Sequence, residues 1–164
     1  MNLTLERIMH DDPALTTPIG LARYAHDFFD SSRAVDDHYG KKDGFELVSP
    51  MPALYLVGHS IELAFKSYLL HRGVTLRELR SKKFGHDLHS CQRKAKELGL
   101  SASVKFHPAE EGAVELLNTL YSTKQLNYIV TGIKYIPAFG LLESFAIKLI
   151  RAVSAEVGYK EFNR

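Results

Sequence analysis

Three polar side chains, His59, Glu62 and Lys66, interrupt an otherwise apolar stretch of the sequence. Their i, i+3, i+7 spacing places them in one column on the face of a helix. Glu62 precedes Lys66 by four residues, which is the orientation that favours an ion pair. A histidine beside such a pair can exchange protons near neutral pH. The column predicts either a satisfied polar network within the fold or a site that faces a groove or a partner.

The helix that carries this column is predicted to run from about residue 50 to Arg72. Ser49-Pro50 precedes it and Gly73 follows it, and both are typical of helix ends. Its apolar residues cover most of its circumference, which is typical of a central helix. We therefore expect the Glu62–Lys66 pair to be partly buried, where the loss of one partner leaves an unpaired charge.

The rest of the sequence predicts an all-α fold, an antiparallel helical bundle of four long helices plus one short helix. The short helix begins at Thr75, whose capping-box pattern includes Glu78, and is predicted to end near Lys83. A further helical segment, at about 87–98, has Asp87 as its N-cap and ends at Gly99. The long helices are predicted at about 18–38, 50–72, 108–121 and 137–157.

No linker or internal repeat divides the chain. We predict an N-terminal extension, residues 1–16, and a single helical domain, residues 17–164. Residues 126–136 are rich in β-branched side chains, yet no partner strand accompanies them, so we predict an irregular segment there.

Composition excludes several classes of protein. The formal net charge of +2 is too small to indicate nucleic-acid binding by charge alone. The single cysteine, Cys91, excludes an intrachain disulfide framework and suits a reducing compartment. The first residues carry charges where a signal peptide needs an apolar run, and no stretch reaches transmembrane length. We expect a soluble, cytoplasmic protein without membrane association.

The centre of the chain carries a recognisable motif pair. YLVGHSIELAFKSYLL at 55–70, followed by Gly-His-Asp-Leu at 85–88, resembles the HEPN domain, a family of small helical bundles. In that family the second helix carries a stretch of alanine and glutamate followed by Lys-Ala or Lys-Ser, and the next helix opens with His-Asp-Leu. Glu62 and Lys66 occupy the corresponding places here. The resemblance is strongest over residues 50–98.

The resemblance implies two kinds of activity. Many HEPN proteins cleave RNA as dimers, through an Arg followed four to six residues later by a His near the end of the domain. Histidine suits acid–base chemistry and arginine suits a scissile phosphate. Other members lack this pair and bind nucleotides or partner proteins. This chain has no Arg between Arg93 and Arg151 and no His after His107, so the late pair is absent.

Two earlier Arg/His pairs have the family spacing, Arg33 with His38 and Arg80 with His86. We keep both as catalytic candidates without assigning a catalytic residue. In the late region, polar side chains that suit a phosphate or a base edge stand in place of the missing pair. The candidate ligand- or partner-binding residues are His59, Glu62, Lys66, His86, Asp87, Tyr128 and Lys134.

No metal and no cofactor are predicted. The order of His59, His86-Asp87 and His107 is similar to that of the all-α HD-type phosphohydrolases, which hold a metal. Those enzymes need a later aspartate, and the last aspartate of this chain is Asp87. His86, Asp87 and His89 alone form a sparse ligand set.

The resemblance favours a HEPN-like, non-catalytic module that binds a nucleotide, RNA or a protein partner. It implies a homodimer and a role in a toxin–antitoxin or phage-defence system, in which a nucleotidyltransferase is a partner protein. Two alternatives stay open. One is a divergent HEPN ribonuclease toxin that uses an Arg/His pair, and the other is a plain interaction or antitoxin-like protein.

Overall fold

The computed structural model describes residues 12–161. The regular secondary structure of these residues is helical, and they contain no β-strand. Two 3₁₀ turns, Pro13–Leu15 and Leu100–Ala102, accompany the α-helices. The all-α prediction is confirmed. The six helices are α1 (Pro18–Gly40), α2 (Met51–His71), α3 (Leu76–Leu79), α4 (Leu88–Glu97), α5 (Pro108–Tyr121) and α6 (Phe139–Val157).

The described residues contain one more helix than the five that we predicted for the bundle. The helical segment predicted at about 87–98 is present as α4, a separate ten-residue helix that the predicted count of four long helices plus one short helix omits. Helix α3 is shorter than expected. It ends at Leu79, whereas the sequence predicts an end near Lys83. Most of the predicted N-terminal extension, residues 1–16, lies outside the described residues.

Helix starts follow the predicted caps. Thr17 Oγ1 accepts a hydrogen bond of 3.0 Å from the N–H of Gly20, and Pro18 occupies the first turn of α1. A capping box that we did not predict opens α5, where His107 Nδ1 accepts from Ala109 and Glu110 accepts from the N–H of His107. Each cap satisfies backbone donors that the first turn of a helix leaves unpaired.

Helix α2 is central, as its apolar circumference predicts. It contacts each of the other five helices. Its small polar residues join it to α1, because Ser60 and Ser67 donate to the carbonyls of Ala25 and Pro18 at 2.6 and 2.7 Å. The largest apolar side chains of α2 that are buried in the core are Leu54, Ile61, Phe65, Tyr68 and Leu69.

The segment between α5 and α6 is irregular, as predicted, and turns occupy its first half. Hydrogen bonds of Ser49, in the loop that precedes α2, hold the end of this segment. The Ser49 hydroxyl donates to the carbonyl of Pro137 at 3.0 Å and accepts from the N–H of Phe139 at 3.1 Å. Within residues 12–161, no helix has both the length and the apolar character to span a membrane.

Candidate functional site

The carboxylate of Glu62 lies at the centre of a polar cluster. Glu62 as a whole is only 2% exposed to solvent. Oε1 accepts from Lys66 Nζ, and Oε2 accepts from the Tyr121 hydroxyl at 2.5 Å and lies 3.2 Å from His86 Nδ1. With His59, these five residues form what we call the Glu62 cluster. The structure therefore brings the predicted column of α2 together with α5 and the loop before α4.

His59 extends the cluster as a hydrogen-bond relay. Its Nδ1 lies 3.1 Å from the Tyr121 hydroxyl oxygen and 3.6 Å from Glu62 Oε2. Because the Tyr121 O–H is donated to Glu62, its oxygen is free to accept the N–H of His59. The His59 ring also packs edge-on against Phe28 at 4.5 Å. Packing and hydrogen bonding together fix the orientation of this ring.

His86 is the cluster member most open to solvent, with 49% of its side chain exposed. Its backbone adopts a φ of 59°, an uncommon conformation for a residue other than glycine. The ring lies edge-on to Tyr121 at 5.9 Å. In the neutral ring, donation of the Nδ1 proton to Glu62 leaves Nε2 as a proton acceptor. His86 therefore offers a base at the surface whose other nitrogen is held by a buried carboxylate.

Asp87 acts as a cap and as a bridge to α5. Its side chain accepts from the backbone N–H groups of His89 and Ser90, which start α4. Asn118 donates to Asp87 at 3.0 Å and accepts from the N–H of Leu88 at 2.9 Å. Burial raises the pKa of Asp87, but these hydrogen bonds outweigh it and lower the pKa. The predicted N-cap role of Asp87 is confirmed, and its contacts position His86.

Electrostatics fix the protonation states at the centre of the cluster. Burial opposes the ionisation of Glu62, but hydrogen bonds from His59, Lys66 and Tyr121 and the charge of Lys66 hold its pKa well below the usual range. Burial and the Glu62 charge raise the pKa of Tyr121. Glu62 is therefore an anion and Tyr121 a hydrogen-bond donor near neutral pH.

Of the grooves on the described surface, one adjoins the cluster through Lys66, and another is lined by Asn118, the partner of Asp87. The first has a volume of about 360 Å³, and both Lys66 and Arg80 line it. The second, of about 430 Å³, lies between α4 and α5 and includes Asn118 and Arg93. Lys66 thus has one side in the buried network and the other in a groove. Arg80, predicted as a low-ranking catalytic candidate, shares that groove.

The structure does not bring the other candidates to the Glu62 cluster. Arg33 pairs with Glu143 at 2.8 Å between α1 and α6, and His38 lies exposed beside Tyr39. Tyr128 and Lys134 lie on the exposed segment before α6, where Lys134 Nζ bonds the carbonyl of Val130. These four residues therefore have no contact with the Glu62 cluster, and their candidate roles stay predictions.

Sequence reasoning missed Tyr121 and Asn118. Both lie on α5, and only the packing of α5 against α2 and α4 gives them a role. Cys91 is a packed thiol, since burial raises its pKa to about 12. In the described part of the chain, no three His, Cys, Asp or Glu side chains group in a way that would hold a metal ion.

His26, outside the Glu62 cluster, lies between a serine and a glutamate in an order that is similar to a Ser-His-acid triad. Its Nε2 lies 3.0 Å from Ser154 Oγ, and its Nδ1 lies 3.9 Å from Glu161 Oε1. Ser154 is buried within α6, so its hydroxyl is closed to a substrate. The row connects α1 to the end of α6 and serves packing.

The chain matches no protein family model, and no significant similarity was found to curated proteins or to solved structures. The likeness to HEPN domains therefore rests on residues of α2 and of the start of α4. Glu62 contacts Lys66 and His86 directly, whereas Asp87 bonds to Asn118 of α5.

Proposed function

We propose that this chain is a HEPN-like, non-catalytic module that binds a phosphate-bearing ligand, either a nucleotide or RNA. The observation that carries the proposal is the shared groove of Lys66 and Arg80. Glu62 fixes the position of Lys66, while Arg80 is exposed. Arginine provides a planar donor set that matches phosphate oxygens, and lysine adds a point charge.

The surroundings of the groove favour an anion. Arg77, Arg80 and Lys82 are exposed, and none forms an ion pair within residues 12–161. Among the described residues, Asp12 is the one acidic side chain that lines the groove. Unpaired cations attract phosphate through a sequence-independent electrostatic term that falls with added salt. This supports binding that is weak, polar and strongly salt-dependent.

The state of Glu62 argues for binding rather than catalysis. Both of its oxygens are already occupied by donors, and its residue is closed to solvent. A carboxylate in this state is neither a general base nor a metal ligand. It holds Lys66 and His86 in place, and these two residues meet the surface.

The remaining parts of the proposal rest on the HEPN resemblance. They are an antiparallel arrangement of the long helices, a homodimer, and a role in a toxin–antitoxin or phage-defence system with a nucleotidyltransferase as partner protein. The broad contact of α2 with all five other helices supports a bundle.

Binding is tested with the full chain, by calorimetry with ATP and by fluorescence anisotropy with a labelled single-stranded RNA. We expect Arg80→Ala to weaken binding by about tenfold or more, as for the loss of a charged hydrogen bond. Arg151→Ala is the matched control, because Arg151 is also exposed but lies on α6. Absence of binding to both probes, or equal losses in the two variants, contradicts the proposal.

A second function, a divergent ribonuclease, is favoured by one observation. His86 presents an exposed ring whose Nδ1 is held by Glu62, six residues after Arg80. Cleavage of RNA that disappears in His86→Ala and in Arg80→Ala would establish it and overturn the non-catalytic assignment. A chain that neither binds nor cleaves fits the plain interaction or antitoxin-like alternative.

A further inference from the structure

The segment of residues 128–136, which lies between α5 and α6, concentrates exposed apolar side chains in the described part of the chain. We propose that it is the two-fold interface of a homodimer, in which it pairs in antiparallel fashion with the same segment of a second copy. This rests on the homodimer included in the proposed function and names its face. Phosphate binding is independent of it, since the groove of Lys66 and Arg80 involves other elements.

The exposed area is sufficient for a stable dimer. Ile133 is fully exposed, and Tyr135 and Tyr128 are 83% and 75% exposed. Ile129 and Val130 are also more than half exposed. Together these five side chains present on the order of 700 Å². A standard interface buries about 800 Å² per partner, and the largest apolar patch on a typical monomer is about 300–600 Å².

A second apolar element lies beside the segment and enlarges the face. The loop of residues 45–48 includes Leu47, which is 99% exposed. Ser49 fastens this loop to Pro137 and Phe139, directly after the segment. The loop therefore adds apolar area next to the segment and brings the face to the size that a dimer needs.

The backbone of the segment is open to pairing. Within the described chain, no N–H group from residue 129 to residue 136 donates a hydrogen bond. Backbone donors in this state bind water in the monomer and are available to a partner strand. The residues of the segment are mainly Ile, Val, Thr and Tyr, which favour strands. An irregular segment with these properties is suited to pair, as an added strand, with an equivalent segment of a partner.

The sequence of the segment is self-complementary, which selects a second copy over an unrelated partner. With Gly132 on the two-fold axis, Tyr128 faces Ile136 and Ile129 faces Tyr135, each pair occurring twice. Aromatic and β-branched residues stabilise a sheet when they lie opposite each other. A two-fold interface also requires one patch to complement itself. Gly132, with a φ of 118° and open space around its Cα, can change conformation at little cost.

Sedimentation of the full chain at micromolar concentration tests the oligomeric state. We expect a dimer for the wild type, a monomer for Ile133→Glu, and a dimer for the control Tyr24→Glu, whose side chain is exposed on α1. Because Ile133 is fully exposed, its side chain does not pack within its own chain, and its substitution should not unfold the protein. A monomeric wild type overturns both the homodimer and this face. A dimer that persists in Ile133→Glu overturns the face alone.

Cross-linking tests the register. In Gly132→Cys the two thiols meet on the axis, so oxidation should give a covalent dimer in high yield. The native Cys91 is buried and its pKa is raised to about 12, so it does not compete. Ser101→Cys is the control, because Ser101 is exposed in the 3₁₀ turn Leu100–Ala102, outside the segment. This variant should stay monomeric under the same oxidant. Equal yields in the two variants, or cross-linking only at Ser101→Cys, overturn the proposed pairing.

Discussion

Tyr121 packs its ring against Gly58 and donates its hydroxyl to Glu62, one turn further along α2. A Cβ at position 58 would lie 2.8 Å from Tyr121 Cδ2, so the ring occupies the space that a side chain would fill. The hydroxyl then reaches Glu62 Oε2 at 2.5 Å. The close contact of α5 with α2 thus depends on a missing side chain and a buried charge.

Removal of the Tyr121 hydroxyl should destabilise the fold. Tyr121→Phe leaves Glu62 with one donor fewer and His59 without its acceptor, and the loss of a hydrogen bond to a buried charge costs about 1.5–3 kcal/mol. The free energy of unfolding, from urea titration, measures this. Tyr24→Phe is the control, since Tyr24 is exposed on α1, and should change stability by less than about 0.5 kcal/mol. Equal midpoints for the two variants would show that the hydroxyl has no stabilising role.

Substitution of Gly58 should also destabilise, although alanine favours helices. In Gly58→Ala the new methyl group meets the Tyr121 ring, and overpacking of a core costs about 1–3 kcal/mol. In Gly112→Ala, on α5, nothing lies within 4 Å of the new Cβ. That variant should gain up to about 1 kcal/mol from helix propensity. Opposite shifts of the thermal midpoint are therefore expected, and shifts of the same sign would contradict the packing of Tyr121 on Gly58.

Much of the helical structure follows from local sequence. Thr17-Pro18 starts α1 and Asp87 caps α4, and these positions are predictable because a cap acts on backbone groups two or three residues away. Helix α2 is predictably central because its apolar side chains surround it. The shortness of α3 was not predictable, since Ser81 donates to the carbonyl of Glu78 and turns follow, which sequence periodicity does not encode.

The sequence predicts some residues of the candidate site and misses others. Helical spacing alone places Glu62 beside His59 and Lys66, and the family motif adds His86 and Asp87. Tyr121 was not predictable, because its role depends on the angle at which α5 crosses α2. For Tyr128 the sequence indicates polar character alone, and its role stays a prediction, since its exposed side chain lies outside the Glu62 cluster.

Loss of the Lys66 ammonium should be more costly than loss of an exposed lysine. Lys66 has 16% of its side chain exposed and neutralises Glu62, so Lys66→Ala leaves a buried charge and should cost about 2–4 kcal/mol. Lys82→Ala, at an exposed position, should cost less than about 0.5 kcal/mol. Glu62→Gln in the Lys66→Ala background should recover part of the loss. Urea midpoints that coincide for the two lysine variants would contradict a buried pair.

Stability should fall in acid through two buried carboxylates. Burial raises the pKa of Glu110, but hydrogen bonds from Lys148, Ser144 and the backbone of His107 outweigh it and lower the pKa from 4.5 to about 2. A folded pKa below the unfolded value gives a stabilisation that is complete above the unfolded pKa and is lost as pH falls through the folded one. For Glu110 this window runs from about pH 4.5 to about pH 2, and Glu62 acts in the same direction.

Urea midpoints measured from pH 7 to pH 2 test this dependence. Glu110→Gln removes one titrating group, so its midpoint should be lower at pH 7 and should fall less steeply below pH 4.5 than that of the wild type. Glu115→Gln, on the exposed face of the same helix, should keep the wild-type slope, because Glu115 forms no ion pair within residues 12–161. A Glu110→Gln curve parallel to the wild type would show that the Lys148–Glu110 contact does not contribute to acid sensitivity.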